Sequence, residues 1–144
     1  MKNNGPLTGR EKVFDENKIL VSITDLKGRL IYVNEDFIDI SGFSKDELIG
    51  KAHNIVRSPD IPSEIFQNLW DFLKNERNWI GIIKNRCKNG DHYWVEAFVS
   101  PMYKNNVCIG FQSVRVKPKE EDLKRTLKIY DRLKNGKKNS LSIF

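Results

Sequence analysis

Residues 79–101 read WIGIIKNRCKNGDHYWVEAFVSP and contain the clearest fold signal of the chain. The segment 79–87 is rich in apolar residues with β-branched isoleucines, which predicts a strand. Asn89-Gly90 is a dipeptide favoured in two-residue hairpin turns. The segment 92–101 alternates in polarity, and one of its faces consists of Tyr93, Val95, Ala97 and Val99. Together these features predict an antiparallel hairpin.

Three more strands are predicted on either side of this hairpin. The segments 19–24 (ILVSIT) and 29–33 (RLIYV) flank a turn in which Gly28 allows a positive φ. The segment 107–116 is the last predicted strand, and one of its faces consists of Ile109, Phe111, Ser113 and Arg115. We therefore predict a five-stranded antiparallel sheet.

The predicted helices of the body all lie between the second and third strands. Asn34 is a good N-cap for a first short helix, and Ser44 begins a capping-box pattern for a second one. The longest helix is predicted over 62–76, with a main apolar stripe and a second apolar flank that contains Phe66 and Trp70. Because helices from one interval cover one face of a sheet, we predict an α+β architecture with a pocket between the two layers.

The chain divides by pattern into a polar leader over 1–17, a globular domain over 18–117, and an amphipathic helix with a tail over 118–144. Gly136 is the expected stop of that helix. The formal net charge is +6, and the segment 115–138 contains ten Lys/Arg against four Asp/Glu. Such a run is typical of a solvated helix face, or of a docking surface for an acidic partner or an anionic membrane. Aromatic residues do not alternate with the basic ones, so we expect no nucleic-acid binding.

Cysteine usage and hydropathy indicate the compartment. Cys87 and Cys108 match no zinc or redox spacing, and we expect buried free thiols in a reducing environment. No signal peptide is visible in residues 1–17, and no stretch approaches the roughly 18–20 apolar residues of a membrane span. These features predict a cytoplasmic protein. No catalytic triad pattern or pair of carboxylates is visible, so we expect neither an enzyme nor a metal site.

Three runs of sequence resemble the PAS domain family over about residues 19–117. They are TDLKGRLIYVNEDF (24–37), GFSKDELIGK (42–51) and KNGDHYWVEAFVSPM (88–102). The resemblance implies the PAS fold, in which a five-stranded antiparallel sheet has helices packed over one face. Here a C-terminal amphipathic helix follows it.

A narrower resemblance is to the PAS sensors of the Aer class of aerotaxis and energy-taxis receptors. It rests on HNIVRSPD (53–60), on WIGIIKNRCKNGD (79–91), and on Pro62, Phe66, Leu69 and Trp70. It implies non-covalent binding of FAD and signalling of the flavin redox state to a chemoreceptor, that is, to a methyl-accepting chemotaxis protein or its HAMP and signalling domains. Because no such domains follow, the chain resembles the stand-alone sensors of the CetB type; the alternative is a fragment of a longer receptor. A homodimer is a further expected partner. Ser58 replaces a His that is common in the family.

Residue chemistry and this resemblance together give seven candidate cofactor contacts: Asn34, Arg57, Asp60, Phe66, Trp70, Trp79 and Asn85. Asn85 is the leading candidate, because an amide both donates and accepts hydrogen bonds and therefore suits the reactive edge of a flavin. Its alternative role is that of a surface amide on a strand. Arg57 suits the pyrophosphate of FAD, since a guanidinium matches phosphate geometry.

The other candidates also have ordinary structural explanations. Asn34 and Asp60 suit helix caps, Arg57 suits a solvated loop, and the aromatic residues suit a core. The main alternative function is a cofactor-free PAS interaction and dimerisation module, and a haem-binding gas sensor with His53 as ligand is a third. No cysteine lies in 51–61, so a photoreceptor that forms a cysteinyl–flavin adduct is not expected.

Overall fold

A computed structural model describes residues 6–135 and contains one five-stranded antiparallel sheet in the order β2-β1-β5-β4-β3. The strands are β1 (Leu20–Thr24), β2 (Leu30–Val33), β3 (Trp79–Arg86), β4 (His92–Lys104) and β5 (Val107–Val116). The helices are α1 (Glu35–Ser41), α2 (Lys45–Leu48), α3 (Ser63–Lys74) and α4 (Glu120–Lys134), with a 3-10 turn at His53–Val56. The predicted α+β architecture is confirmed. The helix stop predicted at Gly136 lies outside the described residues.

The main core lies between the inner face of the sheet and α1, α2 and α3. The alternation predicted for β4 is present, since Tyr93, Val95, Ala97 and Val99 are all buried. On α3 the main stripe faces this core through Ile65, Leu69 and Leu73. Every second residue of β4 and one stripe of α3 therefore face each other between the two layers. A shift of one residue in strand pairing would expose the buried side chains of β4, so this packing fixes the register of the strand.

The opposite, outer face of β3 and β4 is covered in part by α4. The Tyr130 hydroxyl donates a hydrogen bond to the main-chain carbonyl of Ile82, and its ring lies 6.2 Å from that of Trp94. Thr126 and Ile129 are buried on the same side of α4. The C-terminal helix thus contacts the sheet on the face opposite to the other helices.

Helix starts follow the sequence closely, whereas one strand end does not. Asn34 caps α1, and Ser44 and Glu47 form the reciprocal capping box of α2. The strand predicted to end at Pro101 continues to Lys104, after a register shift that follows Met102. Pro101 has no N–H to donate to β5. The register shift after Met102 lets the pairing of β4 with β5 continue beyond Pro101, which explains the longer strand.

Residues 8–14 pack along the β3–β4 hairpin, where the sequence predicted only a polar leader. The main-chain N–H of Lys12 donates to the carbonyl of His92, and the N–H of His92 donates to that of Arg10. Phe14 is buried and meets the Tyr93 ring edge-on at 6.3 Å. Phe14 thus anchors this segment to the hairpin. A single apolar residue in a polar stretch forms no periodic pattern, so the sequence does not predict this contact.

Candidate functional site

A cavity of about 240 Å³ lies between α3, the 3-10 turn and the inner face of the sheet. Its apolar walls come from Val56, Phe66, Leu69, Trp70, Leu73, Ile83, Val99 and Phe111. Its polar and charged lining includes Ser22, Thr24, Lys27, His53, Asn54, Arg57, Asn85, Gln112, Ser113 and Arg115. The pocket predicted between the two layers is therefore present.

Asn85 lies in this lining, near the end of β3, with only 2% of its surface exposed. Its amide is assigned with the oxygen accepting from Nη1 of Arg115 at 2.8 Å and the nitrogen donating to the carbonyl of Val56 at 3.3 Å. Only this orientation gives both amide atoms partners of opposite polarity. Asn85 is thus a buried amide on the cavity wall, and its alternative role as a surface amide is excluded.

Arg115, on β5, is the most unusual residue of the cavity. It is 6% exposed, yet no Asp or Glu within residues 6–135 forms an ion pair with it. Its Nε donates to Oγ of Ser113 at 2.8 Å. Burial lowers the pKa of Arg115 to about 10, which leaves the side chain cationic at neutral pH. A buried cation held by neutral groups favours a ligand that brings acceptor atoms or negative charge.

His53 completes the polar part of the cavity. Its Nε2 lies 2.9 Å from Oγ of Ser22 and 3.4 Å from Nη2 of Arg115. Burial and, secondarily, the Arg115 cation lower the pKa of His53 to about 3, so the ring is neutral at physiological pH. Because Arg115 can only donate, Nε2 is the accepting nitrogen of the ring. An Nε2 that already faces two donors does not favour the haem alternative.

Aromatic and cationic side chains lie together on the α3 side of the cavity. The guanidinium of Arg57 lies 3.5 Å from the centroid of the Phe66 ring, a cation–π contact. Trp70 is 39% exposed and meets Phe111 of β5 edge-on at 5.4 Å. The second apolar flank of α3 therefore faces the cavity, while the main stripe packs chiefly into the core. Four of the seven predicted candidates therefore lie in the cavity lining: Arg57, Phe66, Trp70 and Asn85.

The remaining three candidates lie outside the cavity lining. Trp79 is fully buried, and its indole N–H donates to Oδ1 of Asn68 at 2.9 Å. Asn34 caps α1 by accepting from the N–H of Phe37. Asp60 forms an ion pair with Lys84 at 2.7 Å, which lowers the pKa of its carboxyl. Asp60 does not cap α3, which begins after Pro62 with no side-chain cap bond.

Ser58, which replaces the common histidine, is buried and also lies outside the cavity lining. Its hydroxyl accepts from the N–H of Asp60, and its own N–H donates to the carbonyl of Lys84 at the edge of β3. The side chain therefore has a structural role in the segment that leads into α3.

Sequence reasoning missed two site residues, Arg115 and His53. The alternation of β5 already placed Arg115 on the same face as Phe111 and Ser113, and a charged residue on an apolar strand face is a usable signal. For His53 the sequence indicated only a haem ligand. Its place on the cavity wall depends on contacts with Ser22 of β1 and Arg115 of β5, which no local pattern contains.

The lining also has a one-sided charge. Lys27, Arg57 and Arg115 contribute three cations, and the cavity lining includes no Asp or Glu. Among residues 6–135, no group of His, Cys, Asp and Glu is arranged to hold a metal ion. The cavity is therefore suited to an organic ligand with apolar faces and acceptor or anionic edges.

Comparison with known proteins agrees with this architecture. The family model described as "PAS fold" matches residues 30–115. The chain belongs to the PAS family. As a PAS domain it is also similar to a solved PAS domain from Colwellia psychrerythraea, with a TM-score of 0.64 and 26% identity over 69% of this chain and 86% of that one. A light-state LOV domain of the photoreceptor Aureochrome1 has the same fold, with a TM-score of 0.69 and 16% identity over 78% of this chain and 91% of the other.

Among curated proteins, the PAS domain is similar to the aerotaxis receptor of Escherichia coli, with 36% identity over 137 residues. The match covers 95% of this chain but 27% of that receptor, so the chain spans about a quarter of the length of this relative. A nitrogen fixation regulatory protein of Klebsiella oxytoca is 27% identical over 61% of this chain and 18% of its own length. No helix within residues 6–135 is both long and apolar enough to cross a membrane.

Proposed function

We propose that this PAS domain binds FAD non-covalently and reports the redox state of the flavin to a chemoreceptor-type partner in the cytoplasm. The observation that supports this most directly is the contact between buried Asn85, buried Arg115 and half-buried His53 on the wall of a cavity whose lining has no acidic residues. Similarity to an aerotaxis receptor supports the same class of signal. The domain acts as a sensor and needs no catalytic residues for this role.

The residues of the cavity fit an isoalloxazine ring. Phe66 and Trp70 offer apolar faces, and the Asn85 amide offers hydrogen-bonding groups for the atoms at a ring edge. Ligand pockets usually measure about 300–1,000 Å³. A cavity of about 240 Å³ therefore suits the ring alone, so the rest of a dinucleotide has to extend past the cavity opening. Arg57, a half-buried residue of the cavity lining, is available for its phosphates.

Each side chain then has a defined task in holding the cofactor. When bound, the flavin supplies reversible electron transfer. Asn85 orients the reactive edge of the ring, and Arg115 holds the Asn85 amide through the bond from its Nη1. Trp79, Asn34 and Asp60 act indirectly, because they hold α3, α1 and the 57–62 segment in place around the cavity.

The signal leaves the domain through the sheet. Asn85 lies on β3, and the carbonyl of Ile82 on the same strand accepts the Tyr130 hydroxyl of α4. Only about three residues of β3 therefore separate Asn85 on the cavity wall from the bond between Ile82 and the C-terminal helix. The proposed partner is a methyl-accepting chemotaxis receptor or its HAMP and signalling segments, reached through α4 or the outer face of the sheet.

Absorption spectroscopy of the purified protein tests the cofactor. We expect flavin bands that bleach on reduction, and a dissociation constant for FAD lower than that for FMN because Arg57 contacts the pyrophosphate. Asn85→Ala should weaken FAD binding about tenfold, the equivalent of about 1.4 kcal/mol. The matched control Asn78→Ala, at an exposed position, should bind like the wild type. A colourless protein that acquires no flavin from added FAD would refute the proposal.

A cofactor-free interaction module is the second candidate, because apolar side chains are exposed on the outer face of the sheet. Tyr32, Ile80 and Phe98 are each at least 39% exposed. Under this alternative the protein associates with itself or a partner in a concentration-dependent way and binds no flavin. Sedimentation measured with and without FAD distinguishes the two, since only the first proposal predicts flavin that co-sediments with the protein.

A further inference from the structure

Two fixed neighbours of opposite polarity hold the Asn85 amide. The carbonyl of Val56 accepts from its nitrogen at 3.3 Å, and Nη1 of Arg115 donates to its oxygen at 2.8 Å. A half-turn of the amide would set its NH₂ group against the guanidinium and its oxygen against the carbonyl. Both contacts would then join groups of like polarity at a buried site, which is costly.

Arg115 is itself held independently of Asn85. Its Nε donates to Ser113 on the same strand, and its Nη2 faces His53 from the 3-10 turn. The planar guanidinium directs its donors in fixed directions, so these contacts also fix the direction of Nη1. The Arg115 side chain therefore provides a rigid reference for the amide.

We propose that Arg115 is a positioning residue that fixes which end of the Asn85 amide faces the ligand. In the fixed orientation the amide nitrogen and the amide oxygen each keep a second hydrogen-bonding position, and the buried Tyr93 hydroxyl is the protein group next to them. A ligand atom that changes from acceptor to donor meets an amide that cannot follow it by turning. The domain therefore distinguishes two protonation states of the ligand edge, and this discrimination depends on Arg115. The inference rests on the proposed flavin function and specifies how the same site discriminates.

A double-mutant cycle tests the coupling. The measured quantity is the ratio of the dissociation constants for oxidised and reduced FAD, in the wild type and in Arg115→Gln, Asn85→Ala and the double variant. We expect Arg115→Gln to change this ratio about fivefold, comparable to one hydrogen bond, and to have no further effect when Asn85 is already alanine. An equal change in both backgrounds would mean that the guanidinium acts on the ligand directly, and would overturn the inference.

A measurement without flavin separates this inference from the proposed function. In the flavin-free protein, NMR should show slow solvent exchange of the Asn85 side-chain NH₂ protons, and Arg115→Gln should accelerate it at least about tenfold. The exposed Arg132→Gln should leave that exchange unchanged. Where Arg115→Gln does not fold, Arg115→Lys replaces it, because lysine keeps the charge but lacks the planar fork. Wild-type exchange as fast as that of exposed Asn78 would overturn the inference, whereas failure of FAD to bind would refute only the flavin function.

Discussion

His53 makes the stability of the domain dependent on pH in a direction that can be calculated. Burial lowers its pKa in the folded state to about 3, compared with 6.5 for an ordinary histidine. The unfolded chain therefore binds a proton below about pH 6.5 that the folded chain does not bind until about pH 3. Stability contributed by the neutral ring is complete above about pH 6.5 and is lost as the pH falls toward 3. His53→Gln removes this titration, and its neutral oxygen can still accept from Ser22 or Arg115.

The size of the effect follows from the two pKa values. Between pH 7.5 and pH 4.5, one proton bound only by the unfolded state lowers the free energy of unfolding by roughly 2–3 kcal/mol. Asp25, Glu47, Asp60 and Asp91 also have lowered pKa values and add their own loss in acid. The quantity to compare is therefore the difference between the wild type and His53→Gln at each pH, in which the carboxylate contributions cancel.

Urea denaturation at a series of pH values measures this difference. We expect the wild type to lose roughly 2–3 kcal/mol more than His53→Gln between pH 7.5 and pH 4.5. His92→Gln is the matched comparison, because it replaces the only other histidine, which is half-buried and whose pKa is also lowered by burial. We expect it to change the pH dependence in the same direction but by less than His53→Gln does. Parallel stability curves for the wild type and His53→Gln would show that the ring is not held neutral by burial, and would refute the account of this side of the cavity.

Three further substitutions test separate parts of the structure. Gly110→Ala should unfold the domain or cost more than about 2 kcal/mol in urea denaturation, because a Cβ there would lie 2.1 Å from the carbonyl oxygen of Thr24. Trp79→Phe should lower the free energy of unfolding by about 1–2 kcal/mol and leave FAD affinity unchanged, because Trp79 lies outside the cavity lining. Trp70→Ala should weaken FAD binding about tenfold. Equal effects of the two variants on FAD affinity would contradict this assignment of the lining. Tyr130→Phe should cost about 1 kcal/mol and accelerate amide exchange in α4, and unchanged exchange would show that the hydroxyl does not hold this helix.

The fold was predictable from the sequence because its signals are local. Asn89-Gly90 and the alternation around Tyr93 define a hairpin within one short segment, and the Ser44 capping box defines the start of α2. The position of Phe14 was not predictable in this way. Its burial depends on pairing with a hairpin more than 70 residues further along the chain, for which no local pattern exists.

The site was predictable only in part, for a related reason. Phe66 and Trp70 were identified because they form a second apolar flank on a helix whose main stripe already accounts for the core. Trp79 shows the limit of this reasoning, since a buried aromatic on a strand looks the same whether it faces a cavity or packed side chains. Arg115 differs from an ordinary strand arginine because it is buried without a carboxylate partner among the described residues. That feature becomes visible only when β1, β4 and β5 are assembled into the sheet.

The position of β3 in the sheet explains how a change at Asn85 can reach the outer surface. Within residues 6–135 it is an edge strand of the sheet, paired along its length with β4, and its other edge has an isolated bridge between Asn85 and Arg57. Its free edge is bonded by the N–H of Ser58 at Lys84 and by the hydroxyl of Tyr130 at Ile82. The first of these contacts belongs to the segment around the cavity and the second to α4. Both bonds lie within three residues of Asn85 on an edge strand. Under the proposed function we therefore expect a small displacement of that residue to change both of them together, more readily than it would on a central strand.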